Sequence, residues 1–372
     1  MPSPTRPTWL ALLAIVQLAW TKSCPPVSSS FNINVQNLYP ESAAWDPVTC
    51  RLYLSSIYNA TLVAFNPYTH TSEIIPLPGI STFHPTNSIA YHANGIDYDA
   101  VSGEIYIAAA AATAFESTMS GDYSHANFTG PNRVLRYDPV REVFNGDIDL
   151  APAQKEFQAR NGDKRTSGFQ DMAEDLQGNS YVIGTFGNSI LKICRGSERA
   201  ELWYAPEHYN ATYGFGGIFS VGDTLVVSDT LSGGLVTFNA RKEVPEPHYV
   251  PLQGLPQDYR PLMADGLFAP GKYGGKIALW SDDYNGTSVY GSHDGWKSAH
   301  FLGLVENEEL TAEGGFTVAS FDIGERLFVV TEFFQVNLPP QPKASWSTVD
   351  ITAAVDGIIE RAGFGEGKAL SS

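Results

Sequence analysis

The sequence predicts an all-β protein, a six-bladed β-propeller with a short C-terminal helical tail. A weak repeat of roughly 50 residues runs through the chain six times, and a period of that length marks propellers and related repeat folds. The second segment of every copy is rich in β-branched, aliphatic or aromatic residues, as a buried middle strand requires. With 34 Gly, 24 Pro and 12% aromatic residues in 372, the composition suits many short strands joined by tight turns. A pair of β-sandwiches is the competing architecture, but sandwiches do not repeat one opening motif six times.

The first strand, at residues 31–35, is expected to close the ring beside the last copy. Copy one opens at Glu41-Ser42-Ala43-Ala44-Trp45-Asp46 and continues through Arg51-Leu52-Tyr53-Leu54-Ser55. Copy two opens at Asn94-Gly95-Ile96-Asp97, copy three at Gln170-Asp171-Met172-Ala173, and copy four at Gly216-Gly217-Ile218-Phe219. Copy five opens at Ala264-Asp265-Gly266-Leu267 and copy six at Glu313-Gly314-Gly315-Phe316. An insertion over residues 109–130 exceeds an ordinary connection; its Ala run suits a short helix, and the remainder reads as a loop over one face. Residues 151–167 read as a polar surface excursion, and residues 349–362 as helical.

Residues 1–23 read as a signal peptide ahead of a single propeller domain over residues 24–372. Arg6 precedes a mostly apolar run from Trp9 to Trp20, too short to span a bilayer and suited to the hydrophobic region of an export signal. Four sequons, at Asn59, Asn127, Asn210 and Asn285, support passage through the secretory pathway, with glycosylation of at least one. The chain is therefore expected to be secreted or vesicular, without stable membrane insertion. Of the three cysteines, Cys24 and Cys50 are the first choice for a disulfide, which would tie the N-terminus of the exported chain to the first repeat. Cys194, in the strand-like run Ile190-Leu191-Lys192-Ile193, reads as a packed thiol.

A net charge of −17 excludes a nucleic-acid binder, which needs a cationic footprint. No G-x-S-x-G elbow, P-loop or dinucleotide-binding glycine motif is present, and the eight histidines form no metal-binding pair. No cofactor or metal is expected from these motifs, and the oligomeric state is left open.

In a propeller, the loops that lead into the innermost strand and those that leave the second strand share one face around the central channel. The leading positions are assigned to Glu41, Asn94, Asp171, Gly217, Asp265 and Glu313. The leaving positions are Tyr58, Ala110, Phe186, Asp229, Asp282 and Glu332. Carboxylates crowded at such a mouth repel one another, so some should be protonated or should hold a cation. Glu41, Asp171 and Asp265 are the candidate acids, with Asn94 and Tyr58 as hydrogen-bond donors. His92, Phe186, Phe219, Trp280, Asp282, Glu313 and Phe333 would line the substrate pocket.

Glu41, Asn94-Gly95 and Asp265-Gly266 resemble the Glu, Asn and Asp metal ligands of gluconolactonase-type propellers; Asp171 falls near the position of a second Asn ligand. A resemblance over almost the whole exported chain rests on Tyr39-Pro40-Glu41, Ser55-Ser56-Ile57-Tyr58-Asn59-Ala60-Thr61 and Asn94-Gly95-Ile96. These stretches resemble a group of fungal secreted propellers of natural-product clusters, which includes the core trichothecene-cluster protein and the hetero-Diels–Alderases of tropolone–sesquiterpene pathways. The resemblance implies a cyclase acting on terpenoid or tropolone substrates. Under it, a hydroxymethyl tropolone-like precursor loses water to a quinone methide and joins a humulene-type sesquiterpene. The alternatives are a trichothecene-type oxygen-heterocycle cyclase, a calcium-dependent lactonase, and a non-catalytic binding propeller.

Overall fold

Six sheets of four or five strands, antiparallel except where Leu252–Gln253 pairs parallel with Ala299–Val305 in the five-stranded one, surround a central channel, in a computed structural model that describes residues 24–27, 29–82, 90–257, 259, 261, 264–307, 314–333 and 340–364. The inner strands are Pro40–Asp46, Tyr91–Asp99, Ser167–Glu174, Phe215–Val221, Ala264–Phe268 and Phe316–Ile323. Each packs against the next, and the sixth returns to the first, closing the ring.

The hairpins between inner and second strands follow from short polar side chains. Asp46 Oδ1 accepts the Val48 N–H at 2.8 Å, Asp99 Oδ1 accepts Val101 N–H at 2.9 Å, and Asp175 Oδ1 accepts Gln177 N–H at 2.9 Å. An acidic side chain bonding the amide two residues on makes such a turn locally favourable. Second strands, exemplified by Ser180–Phe186 and Ile277–Asp282, are buried on both faces between sheets. Apolar clusters fill the spaces between neighbouring blades.

The expected closure by the N-terminal strand is observed. Phe31–Ile33 pairs antiparallel with Trp346–Asp350 as the outermost strand of blade six. Phe31 packs on Phe65 and Phe328, with ring centroids 5.3 and 5.4 Å apart. The Trp346 indole N–H donates to Val35 O at 2.8 Å. The Cys24–Cys50 disulfide anchors this closing segment to blade one.

Other expectations are refined. The insertion in blade two contains α1 (Ala112–Glu116), as the Ala run suggested. The tail forms α3 (Thr352–Arg361). Between them in the chain, residues expected as an irregular excursion form α2 (Ala151–Arg160), with Pro152 in its first turn, where a missing N–H costs nothing. Cys194 is exposed rather than packed, because the strand Ser189–Ile193 ends just before it.

Removing the disulfide frees a segment of 26 residues, which in the chain-entropy account costs about 3 kcal/mol. The Cys24→Ser/Cys50→Ser protein should therefore unfold at clearly lower urea concentration, measured by tryptophan fluorescence, with blades two to five unchanged in hydrogen exchange below the transition.

Candidate functional site

Each inner strand carries a bulge at the same height, where two residues oppose one on the second strand. Glu41 and Ser42 oppose Ser55, Asn94 and Gly95 oppose Ala108, and Gln170 and Asp171 oppose Ile183. Gly216 and Gly217 oppose Ser228, Asp265 and Gly266 oppose Ser281, and Thr317 and Val318 oppose Thr331. A bulge re-aims side chains and leaves an amide outside the ladder. Second-strand hydroxyls take up two of these amides: Ser42 N–H donates to Ser55 Oγ at 3.1 Å and Gly217 N–H to Ser228 Oγ at 2.7 Å.

This register corrects the sequence assignment by one residue in two blades. The residues equivalent to Glu41, Asn94 and Asp265 are Gln170 and Gly216, not Asp171 and Gly217. The second bulge position faces the next inner strand at close range. A Cβ on Gly95 would lie 2.3 Å from Gln170 O, and one on Gly217 would lie 2.2 Å from Leu267 N. Asp171 holds that position in blade three and uses it to tie blades together. Its Oδ2 accepts Ile218 N–H from blade four at 2.9 Å, its Oδ1 accepts Met172 N–H at 2.9 Å, and Leu267 N–H of blade five also bonds it.

The first bulge positions build a network on the axis. The Gln170 Oε1 accepts the hydroxyls of Thr185 at 2.9 Å and Tyr213 at 2.8 Å. The Thr185 hydroxyl also faces Phe215 O at 2.7 Å, and the Gln170 amide nitrogen donates to Asp265 Oδ1. Asn94 Nδ2 donates to Phe169 O at 3.1 Å, binding blade two to blade three. Glu41 Oε2 and Asp283 Oδ1 are buried and have no hydrogen-bond partner among the described residues, and the buried Glu332 carboxyl is approached by the Phe333 backbone N–H. Asp282 instead closes its turn, accepting the N–H groups of Tyr284 and Asn285, so its chain neighbour Asp283 is the one with an unused oxygen.

Burial and mutual repulsion act together on these groups. Burial first, then Asp283 and Asp171, push Glu41 up to about 8. Burial pushes Asp171 to about 8 against the three amides that favour its ionised form. Asp265, Asp283 and Glu332 are driven well above the usual carboxylate range, first by burial and then by one another and Glu41. Tyr213 is raised by burial and by the same carboxyls. The acids thus form one buried cluster on the axis, in which the Gln170 N–H offsets part of the burial of Asp265.

An arc of rings borders this region. Tyr39, raised by burial and by Glu332, meets Tyr58 edge-on at 4.9 Å. Tyr58 meets His92 at 5.7 Å, and His92 stacks on Phe115 at 6.4 Å. Phe115 contacts Phe186 at 5.5 Å, and Phe186 contacts Tyr213 at 6.0 Å. The insertion supplies Phe115 from α1 and Phe128, stacked on Phe186 at 4.8 Å. His92 Nε2 lies 3.7 Å from Glu116 Oε1, at the end of α1.

Three expected pocket residues lie elsewhere. Trp280 is buried in the core between blades four and five, packed on Tyr290. Phe219 belongs to the same core and stands edge-on to Trp296. Both are directed away from the axis end that holds Glu41 by strand alternation. Phe333 is half-buried outside the arc, against Trp346 and below the Lys343 ammonium at 3.9 Å. Glu313 lies outside the described residues. The residues missed from sequence are Gln170, Asp283, Tyr213 and Phe115. Glu332 was legible as a strand end, whereas nothing in the sequence around Tyr213 marks it.

No group of three or more Asp, Glu, His or Cys among the described residues could hold a metal ion.

The fold and this buried carboxyl cluster define a six-bladed propeller with an acidic axis. A family model described as Mal s 1 allergenic protein-like matches residues 20–312, and the chain belongs to that family. It is 29% identical over 328 residues to the core trichothecene cluster (CTC) protein 14 of Fusarium sporotrichioides, covering 82% of this chain and 80% of that one. It is 26% identical over 362 residues to the trichothecene biosynthesis protein 14 of Trichoderma arundinaceum, covering 92% and 93%. The crystal structure of the Malassezia sympodialis allergen Mala s 1 superposes with a TM-score of 0.72 at 18% identity, over 87% of this chain and 96% of that one. A Xanthomonas campestris gluconolactonase shares the fold at a TM-score of 0.51 and 15% identity, over 86% and 89%. The chain is thus a propeller of the fungal family associated with secondary-metabolite clusters.

Raised carboxyl pKa values make folding take up protons. Below the ordinary carboxylate range both states are protonated and the stability is fully present; it is lost as pH rises through about 8 for Glu41. Urea midpoints should fall from about pH 5 to about pH 8, and Glu41→Gln should flatten that slope, by up to about 1.4 kcal/mol per pH unit.

Proposed function

We propose that the protein is a biosynthetic cyclase that uses Glu41 as a general acid on an apolar, hydroxylated substrate. The observation that carries this reading is the buried Glu41 carboxyl, unpartnered at Oε2 and raised to about 8, so that it is a proton donor at neutral pH. The names of the relatives from trichothecene clusters support a biosynthetic role.

In the favoured reaction, a hydroxymethyl tropolone-like ring loses water to a quinone methide, which a humulene-type sesquiterpene then traps by hetero-Diels–Alder addition. Glu41 protonates the departing hydroxyl as the C–O bond breaks, and the ring hydroxyl gives up its proton. Asn94 and Tyr58 are the hydrogen-bonding candidates for the ring oxygen as charge develops. The aromatic arc of Tyr58, Phe115 and Phe186 holds both partners together and excludes water; orientation of two reactants contributes at best about 7–11 kcal/mol. The cluster relatives favour a second reading with the same acid, in which Glu41 protonates an epoxide oxygen while an internal hydroxyl closes an oxygen heterocycle.

We also infer passage through the secretory pathway by way of a signal peptide at residues 1–23. The Cys24–Cys50 disulfide and the similarity to the Malassezia furfur allergen Mal f 1, 23% identical over 332 residues, are compatible with an oxidising compartment. No helix among the described residues is long and apolar enough to cross a membrane. Among the sequons, Asn127 is exposed, with Oδ1 turned to Thr129 N–H at 3.1 Å, while the Asn59 amide nitrogen is spent on Asn37 O at 3.0 Å. Asn127 is therefore the favoured glycan carrier, ahead of Asn59, Asn210 and Asn285.

Incubating the purified protein with hydroxymethyl tropolone and humulene should raise the rate and stereoselectivity of adduct formation. Glu41→Gln should lower kcat by about 10²–10⁴-fold with the circular dichroism spectrum unchanged. Product formation identical with and without the protein, across both substrate classes, would contradict a catalytic role.

A further inference from the structure

A cavity of about 300 Å³ fills the central channel on the other side of the bulge ring. Its walls begin at the second bulge positions and run down the inner strands, so Glu41, Asn94, Gln170 and Asp265 are not among its lining residues, whereas Ser42, Asp171 and Gly266 are. Between apolar stretches the wall carries a ladder of six polar groups: Ser42, Asp97, Asp171, Ser220, Ser320 and Asp322. No Lys, Arg or His lines it. A polar cavity of this size holds water.

Two features join its inner end to the carboxyl chamber. Asp171 lies in the cavity wall, and its charge acts on both Glu41 and Asp265. Ser320, also in the wall, lies 3.4 Å from Ser281 Oγ to Oγ, and Ser281 is the residue opposite the Asp265 bulge. The buried carboxyls of Glu41 and Glu332 lie outside the cavity's lining.

We propose that this cavity is the chamber's water and proton port, through which the chamber exchanges water and protons with solvent at the face away from the aromatic arc. The port deepens the cyclase reading and rests on it for its purpose. When a substrate C–O bond breaks, the hydroxyl leaves with its electron pair and takes the Glu41 proton to become water. The proton released by the ring hydroxyl restores Glu41, so the net change is loss of one water with no redox step. An apolar roof suits the organic partners, and a separate polar floor lets water leave and the proton return without opening that roof.

The test needs no turnover. Ala269, in the cavity wall, is replaced by Cys in a Cys194→Ser background, which removes the exposed free thiol. The folded protein is then labelled with a small or a bulky thiosulfonate, so that the block is added after folding. On transfer to D₂O, the C=O stretch of the protonated carboxyls shifts as they exchange, and Glu41→Gln assigns the Glu41 contribution. The port predicts fast exchange in the unlabelled and small-label proteins, slowed by an order of magnitude or more under the bulky label. Equal exchange with the bulky label in place would overturn it. Because the readout follows the carboxyls themselves, it is judged apart from the cyclase assay: activity can fail while exchange is gated, and the reverse.

Discussion

Carboxyl groups gathered and buried on the axis of a ring are the constraint on which the rest of the molecule turns. The bulge in every inner strand produces this arrangement. It breaks strand alternation at one height and turns Glu41, Gln170 and Asp265 toward a common centre. Burial then makes the charged form expensive, and each carboxyl adds to the expense of its neighbours. The chain relieves part of the strain with neutral donors: the Gln170 amide on Asp265 and three backbone N–H groups on Asp171. Glu41 Oε2 is buried and receives no such donor among the described residues, and protonation is the remaining way to meet its burial.

The same division assigns separate tasks to groups that look alike in sequence. Asp171 acts mainly as a rivet between blades three, four and five. Asp265 takes the Gln170 N–H, and Glu41 keeps one buried carboxyl oxygen without a partner among the described residues. The aromatic arc adds an apolar border to the cluster, and Phe115 and Phe128 of it come from the insertion in blade two.

The fold was legible because its physics is periodic: six openings, six buried middle strands and repeated Asp turns. The closing strand at Phe31 and the Cys24–Cys50 bridge followed from the same logic. The site was legible only in part, for a local reason. A bulge inserts one residue, so a reading based on acidity chose Asp171 where register places Gln170. Acidity also favoured Asp282, whose side chain is consumed by its own turn, over Asp283. Trp280 looked like a pocket wall because it stands near a strand end, yet alternation sends it into the core. Tyr213 reaches Gln170 from a connection between blades, which no pattern along the chain could have indicated.

The central claim is a neutral Glu41 at physiological pH, and carbon-13 NMR of the labelled glutamate carboxyls, assigned by Glu41→Gln, tests it most directly. The account predicts a Glu41 resonance that stays at its protonated position through neutrality and titrates at about 8. A resonance that titrates in the ordinary glutamate range would show a solvated carboxylate at the axis and contradict the chamber.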